Sequence, residues 1–232
     1  MSFETSKALV EKLICILRGE SQPDLDMPVE RILVDLWRQM RSIDSSATED
    51  LLLATCSLWS AQGSDARREF KDLGSYIDYR ICDGGSVIVS PLTRFAMGLR
   101  LTNDDIEAVK EITMNMARQI PLLNDICSWE KELKKARESK ADGAQLCSAV
   151  KIIADTLKID AAAAQRLLWH MCRELEARHV QLAGEILAVY PHLSSYCRAI
   201  GYPMSGQEVW ALQSERFNYA RSLGIMHPFS EG

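Results

Sequence analysis

The sequence predicts an all-α fold, and three observations carry that expectation. Apolar residues recur at three and four along nearly the whole chain. Glycine and proline are scarce, 12 and 7 in 232 residues, which disfavours a β protein built on many tight turns. Hydrophobic residues reach 47% against 25% charged, enough to fill a helical core.

Ala8, Leu9, Leu13, Ile14, Ile16 and Leu17 form the first stripe. Asp26, as a side-chain cap, and Pro28 open a second helix with Val29, Ile32, Leu33, Leu36, Trp37 and Met40 on its apolar side. A third starts near Thr48, capped by Ser46 or Thr48, and passes through Leu52, Cys56 and Trp59. A short helix over Tyr76 to Cys82 breaks at Asp83-Gly84-Gly85 and resumes over Val87 to Leu99. Two adjacent glycines cost a helix about 1 kcal/mol each relative to alanine, so the break suits either an ordinary turn or a required backbone geometry.

Thr102 and Asp105 form a capping box for a long helix to about Lys135, with Pro121 set to kink or divide it. Helices over Gln145 to Leu157 and Ala161 to Val189 follow, the latter capped by Asp160 and stopped by Tyr190-Pro191. The last, Leu193 to Leu223, is expected to break around Gly201 to Gly206. Without repeats, low-complexity tracts or linkers, residues 1–232 read as a single helical domain.

Charge and cysteine usage narrow the function classes. The net charge of −5 gives no electrostatic footprint for nucleic acid. No apolar run reaches the roughly 18 residues of a membrane span. The seven scattered cysteines form no CxxC pair, and no signal peptide precedes them, so a reduced, soluble, cytoplasmic protein is expected. His170, His179, His192 and His227 lack the spacing of metal ligands and read as surface or core residues. Lys134, Lys135, Arg137 and Lys140 read as a solvated helix end.

Chemistry concentrates in Asn124-Asp125-Ile126-Cys127-Ser128-Trp129-Glu130-Lys131-Glu132. On a helix Asn124, Ser128 and Glu132 recur at i, i+4 and i+8, each step drifting about 40°, so one side carries an amide oxygen, a hydroxyl and a carboxylate. Such a set suits a hard divalent cation such as Mg²⁺, with Lys131 in reach of a bound phosphate. A polar stripe also suits a solvated face; Leu122, Leu123, Ile126 and Trp129 around it argue for the border of a cavity. Tyr76, Tyr79, Phe95, Met97, Trp129 and Trp210 suit either plain core or a pocket wall whose ring faces stabilise a cation.

The run NDICSWEKE resembles the second metal-binding motif of class I terpene synthases, Asn/Asp-Asp-x-x-Ser/Thr-x-x-Lys/Arg-Glu/Asp. The resemblance extends upstream to Tyr79-Arg80-Ile81-Cys82-Asp83-Gly84, which is similar to the family's diphosphate-sensing arginine and helix-break Asp-Gly, with Arg80 lying 44 residues before Asn124. Downstream, Gly206, Trp210, Ser214 and Arg216 resemble the family's C-terminal Trp-x-x-x-Ser-x-Arg-Tyr signature, with Phe217 in place of the tyrosine. In style the motifs look most like fungal cyclases.

The resemblance implies a helical bundle around a cavity. It implies Asn124, Ser128 and Glu132 as Mg²⁺ ligands, Arg80, Lys131 and Arg216 as diphosphate contacts, and Asp83 and Gly84 as linker and effector at the break. The implied activity is loss of diphosphate from a prenyl diphosphate, followed by carbocation cyclisation and proton loss. The family's other metal motif, Asp-Asp-x-x-Asp/Glu, has no counterpart here, so the chain resembles an N-terminally shortened domain. Asp104-Asp105, Asp24 with Asp26, and Glu49-Asp50 all lack its spacing. That gap and Phe217 also suit two alternatives. One is a relative that leaves diphosphates intact and joins a terpenoid electrophile to an amine or water. The other is a binding subunit acting in a homodimer or with a complementing chain.

Overall fold

The computed structural model describes residues 3–62, 70, 72–138 and 146–217. Ten α-helices and two 3-10 turns, with no strand, make up the described residues: α1 (Phe3–Arg18), α2 (Pro28–Ile43), α3 (Ser45–Gln62), α4 (Leu73–Asp83), α5 (Ser86–Met97), α6 (Asn103–Ala108), α7 (Lys110–Glu138), α8 (Ala149–Leu157), α9 (Ala161–Val189) and α10 (Ser194–Gln213), with 3-10 turns at Pro191–Leu193 and Glu215–Phe217. The all-α expectation holds. The chain forms two compact units, Met1–Ala66 with Cys82–Leu101, and Arg67–Ile81 with Thr102–Gly232.

In the first unit α1, α2 and α3 enclose Leu13, Ile14, Ile16, Leu17, Leu33, Trp37, Leu52 and Cys56. The α2 stripe is only partly used: Leu33 and Trp37 are buried, while Val29, Ile32 and Leu36 are exposed. Its apolar arc is wider than the side that α1 and α3 cover. Glu30, 1% exposed, accepts from the Lys12 ammonium and from the Asp24 N–H at 2.7 Å, so its buried charge is answered twice.

Two of the expected caps are different. Asp26 does not cap α2; the N-cap is Met27, with no side-chain bond, and Pro28 supplies the helix start. Neither Ser46 nor Thr48 caps α3, which begins earlier because the Asp44 carboxylate takes the Ala47 N–H at 3.0 Å. The break after Asp83 is as expected. Gly85 sits at φ +83°, a conformation side chains resist, and α5 starts at Ser86. Gln62 Nε2 donates to the Asp83 carbonyl at 3.1 Å, and Arg94 ties α5 to α3 through Asp50 at 2.7 Å.

The second unit is built on α7 against α9, with α8 and α10 beside them. Leu122, Leu123, Ile126, Cys127, Trp129, Ala164, Leu168, Trp169 and Cys172 form its core. The Thr102–Asp105 capping box is present in full, but the helix it starts is interrupted at Val109, and α7 then runs unbroken through Pro121. The Ile120 carbonyl beside that proline accepts from Gln207 Nε2 of α10 at 3.0 Å. Ser148 caps α8 and Asp160 caps α9.

The expected break in α10 is absent: the helix is continuous through Gly201, Pro203 and Gly206. Gly201 serves close packing instead. A Cβ there would stand 3.0 Å from Nε2 of buried His179 on α9. Of the other histidines, His170 is exposed and His192 binds Asp105 at 2.7 Å; His227 and Lys140 lie outside the described residues. All seven cysteines are free thiols.

Two outcomes follow from this packing. Gly201→Ala should lower stability by about 1–3 kcal/mol, because His179 has to move from a filled site; urea unfolding measures it. Asp105 is held down to about 2 from 3.8, chiefly by the Thr102 backbone N–H, then by His192. Its folded value lies below its unfolded one, so its stabilisation is complete above about pH 4 and is lost as pH falls towards 2. Melting curves of wild type and Asp105→Asn over that range should converge at the acid end.

Candidate metal and anion site

α7 carries the site because its rotation is pinned by one side chain. Asp125, 1% exposed, points into the second unit and accepts three hydrogen bonds. Its Oδ1 takes Arg80 Nη2 from α4 at 3.2 Å, and its Oδ2 takes the Tyr76 hydroxyl from α4 and the Ala149 N–H of α8 at 2.7 Å. Burial pushes the Asp125 carboxyl up to about 6, against the opposing pull of Arg80, the Ala149 N–H and the Tyr76 hydroxyl. Burial, with the Asp125 charge next, also drives the Tyr76 phenol far upward, so it stays a donor.

Asp125 was the residue that motif reading left without a role. Its signal in sequence was weak: an acid inside the motif and an arginine 45 positions upstream. Tyr76, expected either in the core or on a pocket wall, is wholly buried and serves as a partner of Asp125. Trp129 is core as well, whereas Trp210 and Met97 are about half exposed, 49% each.

With Asp125 fixed, Asn124, Ser128 and Glu132 lie on one side of α7. Asn124 and Glu132 are half-buried, and Ser128 is 1% exposed. The Ser128 hydroxyl oxygen is buried with no protein hydrogen-bond partner. A buried hydroxyl left that way costs about 1–3 kcal/mol. Among the described residues no three His, Cys, Asp or Glu side chains gather to hold a metal. An ion here depends on amide and hydroxyl oxygens beside one carboxylate, a donor set fit for a hard cation.

The cations assemble next to this stripe. Lys131 Nζ lies 5.6 Å from the centre of the Phe217 ring, and the Arg216 guanidinium lies 5.7 Å from the same ring. Phe217 is buried and stacks edge-on with Trp210 at 5.2 Å. Ser214 Oγ accepts the Arg216 N–H at 3.1 Å, which shapes the turn that presents the guanidinium. Burial, and next the nearby Arg216, lower the Lys131 pKa, while Glu132 opposes them. Asp125 in turn feels both Arg80 and Glu132. Arg80, Asp125, Glu132, Lys131 and Arg216 thus form one electrostatic chain. Among the described residues neither Lys131 nor Arg216 has an acidic side chain within salt-bridge distance.

Asp83, 7% exposed, and exposed Gly84 stand at the α4 break, in the first unit, whereas Arg80 on the same helix belongs to the second. The upstream acids are engaged elsewhere: Asp50 with Arg94, Glu49 with Arg41, and Asp24 with the Asp26 N–H.

Residues 3–178 match the model for terpene synthase family 2, C-terminal metal binding. The chain is 39% identical over 222 residues to aristolochene synthase of Penicillium roqueforti, covering 94% of this chain and 65% of that protein. Aristolochene synthase of Aspergillus terreus is 38% identical over 221 residues, with 94% and 69% covered. The crystal structure of the Penicillium roqueforti protein superposes with a TM-score of 0.77 at 37% identity, over 91% of this chain and 71% of that one. Germacradien-4-ol synthase from Streptomyces citricolor shares the fold, with a TM-score of 0.72 at 14% identity over 91% of this chain and 70% of that one.

Removing the Asp125 carboxylate should be costly whatever the site does. Asp125→Ala leaves the Arg80 charge without its buried counter-ion and should cost about 3–5 kcal/mol in urea unfolding.

Proposed function

The chain belongs to terpene synthase family 2, and from that membership and the α7 geometry we propose that it is a terpene cyclase acting on a prenyl diphosphate. One observation carries the reading. A stripe of oxygen donors, with an unsatisfied Ser128 hydroxyl, lies beside two cations gathered around one Phe217 ring. Like charges placed together repel, and a polyanion relieves that repulsion.

Asn124, Ser128 and Glu132 would hold Mg²⁺, which would supply charge neutralisation for the leaving diphosphate. Arg216 would offer a planar fork of donors to phosphate oxygens, and Lys131 a compact charge beside it. Arg80, which bonds Asp125 through Nη2, would contact diphosphate. Asp83 and Gly84, at the break between α4 and α5, would assist ionisation as linker and effector. The C–O bond to diphosphate breaks, the allylic cation closes into a ring, and a proton leaves. The identity to the two aristolochene synthases supports a cyclic hydrocarbon product. No helix among the described residues is long and apolar enough to cross a membrane, which is compatible with action in the cytoplasm.

The test supplies the 232-residue chain with C10, C15 and C20 prenyl diphosphates, with and without Mg²⁺. Metal-dependent diphosphate release and cyclic products are expected. Asn124→Ala and Glu132→Ala should each lower turnover about 10²–10³-fold, the loss typical of one transition-state contact. A folded chain that converts none of the three substrates would overturn the reading.

A further inference from the structure

Lys131 stands on α7 and Arg216 in the turn beyond α10, yet both reach one ring. Lys131 Nζ lies over Phe217 at 5.6 Å from its centre, and the Arg216 guanidinium carbon lies over it at 5.7 Å. Both cations are exposed and ride on long flexible stems, so water and their mutual repulsion would otherwise spread them. The ring, by contrast, is fixed. Phe217 is 2% exposed, Trp210 stands edge-on to it at 88°, and its own N–H donates to the Ser214 carbonyl at 3.2 Å. A fixed electron-rich face beside two mobile cations decides where they stand. A carboxylate in that place would hold them too, but it would also cancel their charge. A ring attracts a cation through its quadrupole and adds no net charge.

We propose that Phe217 is a positioning residue whose ring draws Lys131 and Arg216 together, so that the two charges act on one diphosphate as a pair. The inference rests on the diphosphate-binding reading above. Phe217 itself touches no substrate in this scheme; it acts through the two cations. The role uses the face of the ring, so it does not call for a tyrosine hydroxyl at this position.

The electrons of the ring separate positioning from plain packing. Replacing Phe217 with mono-, di- and trifluorinated phenylalanine drains the negative face step by step while the ring keeps its shape. The probe is inorganic pyrophosphate with Mg²⁺, and the readout is its dissociation constant by calorimetry on the 232-residue chain. Affinity is expected to fall at each step, by about tenfold over the series, the size of two exposed cation–ring contacts. In the Lys131→Met background the fall should shrink to about threefold, because Arg216 alone then feels the ring.

Constant or rising affinity across the series would overturn the inference and leave the diphosphate reading standing. So would an equal fall in both backgrounds, since the ring would then not act through Lys131. Absence of binding by the unaltered chain would overturn the reading and the inference with it. Proton NMR of the unaltered chain covers the case in which a fluorinated chain does not fold. The ε-methylene protons of Lys131, assigned by comparison with Lys131→Met, should be shifted upfield by the ring before pyrophosphate is added and stay so when it binds. Random-coil positions in either state would sink the inference.

Discussion

A carboxylate buried at 1% exposure in the middle of a 29-residue helix is the constraint on which the second unit depends. Moving such a charge out of water costs several kcal/mol, and only good geometry repays it. Asp125 repays it with three donors from two other helices, so α4 and the start of α8 cannot slide along α7 without stranding it. Pinning one residue also fixes the rotation of a helix. Successive residues turn by about 100°, so the direction of Asp125 decides where Asn124, Ser128 and Glu132 face. The core below, with Leu122, Leu123 and Ile126 essentially dry, agrees with that rotation and adds the apolar burial that makes it stable.

Elsewhere in the chain, cations that hold helices together are neutralised by acids. Arg94 meets Asp50, Lys12 meets Glu30, and Arg173 meets both Glu176 and Glu208 while lying 4.7 Å from the Trp169 ring. Lys131 and Arg216 share a ring instead of a carboxylate. A ring face stabilises a cation by about 0.5–2 kcal/mol, less than a well-placed buried acid, but it leaves the charge free to act on an anion. Arg80 meets the buried Asp125.

Most of the helices were legible because period and punctuation are local. The capping box at Thr102, the cap at Asp160 and the break after Asp83 are each written within four residues. Where reading failed at Gly201, a distant partner decided. Gly201 and Gly206 looked like a break, yet α10 stays helical there, and Gly201 meets His179 from 22 positions away on another helix. Asp44 rather than Ser46 or Thr48 starts α3, a choice among adjacent candidate caps that propensity does not rank. The motif residues stood out by spacing, but the tie from Asp125 to Tyr76 spans 49 positions and leaves no periodic mark. Phe217, which reads as the loss of a hydroxyl, becomes intelligible only as the surface on which two cations meet.

The chain spans 65% of the length of its Penicillium roqueforti relative, and the upstream acids Asp44, Glu49 and Asp50 are engaged in a cap and ion pairs. On the proposed reading, attraction of diphosphate to the described part of the molecule would rest on Arg80, Lys131 and Arg216. Arg80, Lys131 and Arg216 carry three positive charges against two negative ones on Asp125 and Glu132. Such a small excess binds an exposed anion weakly, because water and salt screen it. A single divalent ion on Asn124, Ser128 and Glu132 would more than double the positive excess and would coordinate the buried Ser128 hydroxyl, which has no protein hydrogen-bond partner. On the proposed reading the balance of charge is left to the metal, so anion binding should follow the metal rather than precede it.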